Sequence, residues 1–207
     1  MLSHRRFPAV VNGILRLSNK PTTIIDELVD AGRGVAAILM GDRRAATCFD
    51  FSLRGLAGSF IAFLVATAAS AYLPTIGGGS DAQLPTWRLL LMAGFLFGVQ
   101  VGFSALVLRQ LNRFDAFVPY LVADNWATFF ITAVSTVLSL IGLSGDLVLI
   151  VVGILVLIIE INIARLIMTL KPWQIAMFLV AQVVGVSIGL IIIGVAFPLP
   201  PDMVAPS

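Results

Sequence analysis

Polar side chains inside long apolar stretches are the residues of this sequence most able to do chemistry. Five of them carry a charge or an amide near the start or the end of such a stretch: Arg54, Asp124, Asn125, Glu160 and Arg165. A charge at bilayer depth costs at least about 2.5 kcal/mol, so each of these groups needs a partner or a use. The two acids balance the two arginines in formal charge, which predicts a polar cluster at one depth.

Glu160 is the most deeply placed of these charges, since it lies eleven positions before Lys171. Arg165 follows five residues later, roughly 140° around the same helix, which makes it a poor partner. We therefore expect Glu160 to contact a group on a neighbouring helix: Arg54, Arg109 or Asn125. Three uses stay open for the cluster: an interhelical lock, a ligand cavity that opens toward the cytoplasm, and general acid–base catalysis.

Five apolar stretches must position these residues. Each is long enough to cross a bilayer, because about 20 helical residues cover a hydrocarbon core of about 30 Å. The predicted spans are Leu53–Leu73, Trp87–Leu108, Tyr120–Leu143, Leu147–Leu170 and Trp173–Phe197. With 59% hydrophobic residues, 12% charged residues and a mean hydropathy of +1.03, the chain has too little polar surface for a water-soluble protein. The predicted fold class is an all-α polytopic membrane bundle of five transmembrane helices, preceded by interfacial amphipathic helices.

Basic residues predict the orientation of the bundle. Of the thirteen Lys and Arg residues, only Arg88 falls on the outer side of the predicted spans. The positive-inside rule then places the amino terminus in the cytoplasm and the carboxyl terminus outside, in a bacterial inner membrane. The chain divides into a cytoplasmic and interfacial segment 1–52, a bundle 53–197 and a Pro-rich non-cytoplasmic tail 198–207.

The segment 1–52 is too polar to span a membrane but carries two amphipathic patterns. Its apolar residues recur first in Phe7, Val10, Val11, Ile14 and Leu15, and after Pro21 in Ile24, Ile25, Leu28, Val35 and Leu39. Helices with such patterns lie in the membrane interface. Two interpretations stay open: an anchor that packs on the inner ends of the bundle, or a docking surface for a cytoplasmic partner.

Small residues recur every four positions in three of the spans. The second span aligns Gly94, Gly98 and Gly102, the first aligns Gly58, Ala62, Ala66 and Ser70, and the fifth aligns Ala181, Gly185 and Gly189. Such faces let helix backbones approach closely and make packing contacts within lipid. We expect the first, second and fifth spans to form a tight core; the alternative is that one small-residue face mediates self-association.

Aromatic residues mark the starts of three predicted spans. Trp87, Tyr120 and Trp173 stand where amphipathic rings prefer the headgroup region. Asp124 and Asn125 follow about one turn after Tyr120, and interface anchoring does not explain them. We therefore expect this acid and this amide to belong to the polar cluster.

Sequence motifs give no support to catalysis. The sequence contains no HExxH motif, nucleophile elbow or phosphate loop. Its single histidine and single cysteine, His4 and Cys48, do not make a metal-ligand set. We predict no enzymatic activity, no cofactor and no metal site. The positive net charge is explained by orientation in the membrane, so we predict no nucleic-acid partner.

Two stretches carry a resemblance to a known family. They read ATCFDFSLRGLAGSF, Ala46 to Phe60, and YLVADNWATFF, Tyr120 to Phe130. Together with five close-set spans after an amphipathic segment, they resemble the bacterial relatives of the Yip family of Rab-interacting membrane proteins. The resemblance implies a membrane organiser or adaptor that binds partners on its cytoplasmic side. It assigns no functional residue.

The sequence as a whole favours a non-enzymatic membrane organiser, adaptor or complex subunit. Its expected partners are the lipid bilayer and either another membrane protein or a second copy of this chain. The alternative is a small transporter or ligand-binding membrane protein, whose polar cavity opens inward at Asp124, Asn125 and Glu160.

Overall fold

The protein is an integral membrane protein with an all-α fold, as its composition predicts. The structure, a computed structural model, describes residues 23–76, 85–143 and 145–197. The first amphipathic stripe, from Phe7 to Leu15, and the tail 198–207 lie outside the described residues. Within the described ranges the chain forms helices and turns without a strand, and five helices are long and apolar enough to cross a membrane.

Six α-helices make up the described fold. Helix α1, Ile24–Leu39, precedes the spans. The spans are α2, Leu53–Ile76; α3, Thr86–Gln110; α4, Phe117–Leu140; α5, Asp146–Asn162; and α6, Pro172–Ala196. Short 3-10 turns cover Arg43–Cys48 and Phe114–Ala116, and α5 continues into a π-helical turn, Ile163–Ile167. Each predicted span coincides with one helix.

One end of the bundle carries most of the positive charge. At this end α2, α4 and α6 begin, while α3 and the π-helical turn after α5 end. We name it the basic end after the residues it holds: Arg54, Arg109, Arg113, Arg165 and Lys171. Arg88, at the start of α3, lies at the opposite end.

Helix α1 packs against the bundle at the basic end. Its start is fixed by a capping box, in which Thr23 Oγ1 accepts from the Asp26 backbone N–H and the Asp26 carboxylate accepts from the Thr23 N–H. Its buried face, Ala31, Gly34, Val35 and Ile38, meets α4, α5 and the Arg43–Cys48 turn. This is the packing that the anchor interpretation describes. Ile24 and Ile25 belong to the same predicted stripe but stay exposed.

Helix α4 is the centre of the bundle, which corrects the expectation that the first, second and fifth spans form the core. It makes the most extensive interface of the structure, with α2, while α3 and α6 form the second large pair. Nearly all residues of α4 from Tyr120 to Ala127 are buried, so this stretch is covered on every side. The half of α5 that begins at Asp146 instead presents its Leu, Ile and Val side chains on the surface.

A tight turn separates α4 from α5. Gly145 precedes α5 with φ +119°, a conformation that favours glycine because other residues carry a Cβ. Glycine at this position is what allows two long spans to be joined by so few residues.

Candidate functional site

Two carboxyl groups meet inside the basic end of the bundle. Asp124 on α4 is only 7% exposed, and its carboxyl group lies beside that of Glu160 on α5. The Oε2 atom of Glu160 is buried without a hydrogen-bond partner among the described residues. We name these two residues the acid pair.

The structure does not pair Glu160 with Arg54, Arg109 or Asn125, the partners expected from the sequence. The electrostatic neighbour of each buried acid is the other acid, and both Arg54 and Arg165 are exposed. Arg54 acts on Glu27 of α1 instead. Arg54 is the second residue of α2 and Arg165 lies in the final turn after α5, so both can extend toward the headgroup region. The predicted equal depth of these charges in the membrane does not bring the arginines into contact with the acids.

Tyr120 connects the acid pair to a group of amides. It lies one turn before Asp124 on α4, is fully buried, and is close enough to both carboxyl groups to interact electrostatically. The Gln182 side-chain amide of α6 donates to the Tyr120 hydroxyl at 2.7 Å, and the Gln100 amide of α3 approaches it at 3.4 Å. Tyr120 is thus a core residue, which corrects the prediction of an interfacial anchor. Sequence analysis missed it because a tyrosine at a span start is typical of both positions.

Gln182 also reaches Ser104 on α3. Its Nε2 group donates to the Ser104 hydroxyl at 2.7 Å, and that hydroxyl donates to the Gln100 backbone carbonyl, also at 2.7 Å. Both amide hydrogens of Gln182 are therefore used, while its Oε1 atom is buried without a partner among the described residues. These bonds tie α3, α4 and α6 together at one level.

Asn125 points to the other side of α4. Its Nδ2 group donates to the Ser59 hydroxyl of α2 at 3.2 Å, and Ser59 donates to the Leu56 backbone carbonyl at 2.9 Å. Asn125 was predicted to share one cluster with Asp124 and Glu160. The structure places it in a separate contact, since successive residues of a helix point about 100° apart.

Two further polar residues close helix ends, a role that their sequence positions did not reveal. Asn162 Nδ2 donates to the Ile38 carbonyl at 2.8 Å, near the end of α1. Arg113 donates to the Met168 carbonyl at 2.6 Å and to the Thr169 carbonyl at 3.2 Å, just after the π-helical turn. Helix ends leave carbonyls without partners, so both contacts supply donors that the backbone lacks.

Glu27 of α1 lies against the first turns of α2. Burial raises the pKa of its carboxyl group, the Asp50 carboxylate raises it further, and Arg54 opposes this. A Cβ atom at Gly58 would clash with the Glu27 carboxylate, so glycine leaves room for the acid. Gly58 was predicted to pack against another span, and its close contact is instead with α1. Ala62 and Ala66 are buried, on the face of α2 that also carries Ser59.

The glycines of α6 are used within the bundle. A Cβ atom at Gly185 would lie 2.8 Å from Phe103 Cγ, and one at Gly189 would lie 2.8 Å from Leu96 Cδ2. Both side chains belong to α3, so these glycines let α3 and α6 approach closely.

The glycines of α3 have no such neighbour, which corrects the prediction that their face packs inside the bundle. Gly94, Gly98 and Gly102 are exposed, and a Cβ atom at any of them would meet no further atom of the described residues within 4 Å. Helix α3 turns Leu96, Val99 and Phe103 toward α6 instead. The longest glycine face of the protein is therefore open to the bilayer.

The polar network holds the helices together. Hydrogen bonds join α3, α4 and α6 at one level, α4 to α2 through Asn125, and α5 to the end of α1 through Asn162. The acid pair adds two neighbouring carboxyl groups inside the bundle. Comparison with known proteins finds no matching family model, no matching curated protein and no matching solved structure.

Proposed function

We propose that this protein is a non-enzymatic membrane adaptor or complex subunit that binds a partner helix on the glycine face of α3, formed by Gly94, Gly98 and Gly102. The observation that carries the proposal is the open space at all three glycines. The face extends over about 12 Å of helix, enough for two backbones to cross in close contact. The partner is another membrane protein or a second copy of this chain.

The use of the other small-residue faces supports this proposal. The glycines of α6 and the alanines of α2 are buried in the bundle, so helix packing in this protein does rely on small residues. In lipid, apolar helices gain little from burying more apolar surface, and close backbone approach supplies the packing contacts. The exposed glycine face of α3 can therefore bind a helix of another molecule in the way that the buried small-residue faces bind helices within the bundle.

The position of the polar groups argues for an adaptor over a transporter. In the described residues, the hydrogen-bonded side chains of the network lie at the basic end, with Gln100 and Gln182 the deepest members. The remaining length of the spans is apolar and largely exposed on its outer faces. The resemblance to bacterial Yip-like proteins agrees with an adaptor function. We also propose that the amino terminus lies in the cytoplasm.

The proposal is tested by filling the glycine face. Gly98→Leu places a side chain on the face, and Gly153→Leu is the matched control, because Gly153 on α5 is also exposed with open space around it. Each protein is purified in mild detergent and weighed by native mass spectrometry. We expect a stoichiometric protein partner with the wild type and with Gly153→Leu, and its loss with Gly98→Leu. Equal capture by all three proteins contradicts the proposal.

The second candidate is an inward-opening ligand site or small transporter, and the acid pair favours it. Burying two carboxyl groups carries a desolvation penalty, so the pair is a poor means of joining two helices by itself. A ligand-binding role explains its presence. Glu160→Gln keeps the shape of the side chain, and Asp146→Asn at the opposite end serves as the control. A small molecule retained by the wild type and by Asp146→Asn, but lost from Glu160→Gln, supports this candidate. Retention that is unchanged in Glu160→Gln contradicts it.

A further inference from the structure

A groove lies at the basic end of α3, outside the polar network. Its volume is about 540 Å³, and it is lined by Gly102, Ala105, Leu106, Arg109 and Phe114. The first four follow one face of α3, because residues three, four and seven positions apart share a helix face. Phe114, from the 3-10 turn after the helix, completes the lining. The groove therefore starts at the membrane boundary and points along α3 into the bilayer.

The lining of the groove changes in character along its length. Gly102 and Ala105 leave an apolar floor, and Leu106 and Phe114 stand beside it with 53% and 54% of their surfaces exposed. Arg109 is the charged residue of the lining and is itself exposed. The groove is thus cationic at the membrane boundary and apolar about 10 Å deeper.

Among the residues that the structure describes, no acid forms an ion pair with Arg109. The acid nearest in sequence, Asp115, pairs with Arg113 at 3.5 Å. Arg113 is further engaged with the carbonyls of Met168 and Thr169. Of these two neighbouring arginines, Arg109 is the one whose guanidinium is available to a ligand.

We infer that this groove binds an anionic phospholipid of the leaflet at the basic end. Guanidinium groups present paired donors that match the geometry of a phosphate, and an arginine at the membrane boundary meets phosphates at its own depth. The acyl chain lies on the floor of Gly102 and Ala105, beside Leu106. A free anion would contact Arg109 but not the apolar floor, and an acidic protein segment would not fill that floor. A phospholipid matches both the charged end and the apolar end of the groove.

This inference does not depend on the proposed function. The lipid phosphate is held at Arg109, about 16 Å along the helix from Gly98, where the partner helix is proposed to cross. Gly102 belongs to both surfaces, so the test leaves it unchanged. Loss of lipid without loss of the protein partner, or the reverse, separates the two proposals.

The test measures lipid retention by the full-length protein. Wild type, Arg109→Gln and Arg165→Gln are exchanged into detergent with equal amounts of phosphatidylglycerol and phosphatidylcholine, and bound lipid is counted by native mass spectrometry. Arg165→Gln is the matched control, because Arg165 is an exposed arginine of the same end that lines no part of the groove. We expect one phosphatidylglycerol on the wild type and on the control, and about fivefold less on Arg109→Gln.

A second variant tests the apolar half. Ala105→Leu fills the floor and keeps Arg109, so it should also lower phosphatidylglycerol retention. Three results would each overturn the inference: equal retention of the two lipids by the wild type, equal retention by Arg109→Gln and Arg165→Gln, or unchanged retention in Ala105→Leu. Thermal stabilisation by inorganic phosphate as large as that by phosphatidylglycerol would show a simple anion site instead and would likewise overturn it.

Discussion

The glycines of α6 and the glycines of α3 have the same spacing but opposite environments. Gly185 and Gly189 are buried against side chains of α3, whereas Gly94, Gly98 and Gly102 of α3 face open space. Spacing alone therefore shows that a helix face permits close approach, and says nothing about which neighbour arrives. Substitutions at the two sets of glycines separate packing within the bundle from binding outside it.

The largest effect is expected at Gly185. Gly185→Leu forces a side chain into Phe103, whose Cγ lies 2.8 Å from the position of a Cβ. Overpacking of a close interface costs about 1–3 kcal/mol, so the melting temperature in detergent should fall clearly. The measurement is thermal unfolding of the purified protein. The same melting temperature as wild type would mean that α3 and α6 are not in close contact.

A smaller loss of stability is expected from a substitution at Gly34, a buried glycine of α1. A Cβ at this position lies 2.6 Å from Phe49 Cζ and 3.1 Å from Cys48 Cβ. Gly34→Ala adds one methyl group and should destabilise the docking of α1 by about 1 kcal/mol. Limited proteolysis of the segment before α2 measures this docking. Gly41→Ala is unsuitable as a control because of its φ of +69°, so Ala36→Ser, at an exposed position of the same helix, is used. Equal cleavage rates in both variants would contradict a packed α1.

A pH-dependent effect is expected at Glu27, the acid that Gly58 accommodates. Burial raises the pKa of Glu27 above its usual value of 4.5, so the folded protein binds this proton more tightly than the unfolded chain. The stability it contributes is present at acidic pH and is lost as the pH rises from about 4.5 through the folded-state pKa. Glu27→Gln stays neutral at every pH, so its melting temperature should fall less than that of wild type between about pH 5 and about pH 8.

The control for Glu27 is Asp30→Asn on the same helix. The Asp30 carboxylate pairs with Arg33 at 3.1 Å on the surface. If Asp30→Asn changed the pH dependence as much as Glu27→Gln, the effect would come from the general charge of α1 and not from the buried contact with α2.

The smallest effect on stability is expected at Gly98. The added side chain of Gly98→Leu meets no further atom of the described residues within 4 Å, so the melting temperature of the isolated protein should change by no more than the equivalent of about 0.5 kcal/mol. Thermal unfolding beside Gly185→Leu gives the direct contrast. A loss as large as that of Gly185→Leu would place the α3 glycines inside the bundle.

The polar residues show how far the sequence could be interpreted. Asp124 and Glu160 were identified because charges inside apolar stretches are rare, and their selection needs no knowledge of neighbours. Their mutual contact was not predicted, because we expected Glu160 to contact Arg54, Arg109 or Asn125. Arg54 and Arg165 lie near helix ends and are exposed. No periodic pattern in the sequence predicts the direction in which their side chains extend. Asn162 and Arg113 were missed for a similar reason, since their acceptors are carbonyls that are distant in the sequence.

The sequence by itself determined the membrane class, the five spans and the amphipathic α1. Each span satisfies its own backbone hydrogen bonds and meets lipid as its solvent, so length and hydropathy are local properties that can be counted. Only the tertiary structure decided that α4 is central, that α3 turns Phe103 and not its glycines toward α6, and that the two acids meet. These choices depend on side-chain shape on both sides of each interface. Within lipid, apolar faces compete nearly equally for one another, so the better geometric fit selects the neighbour.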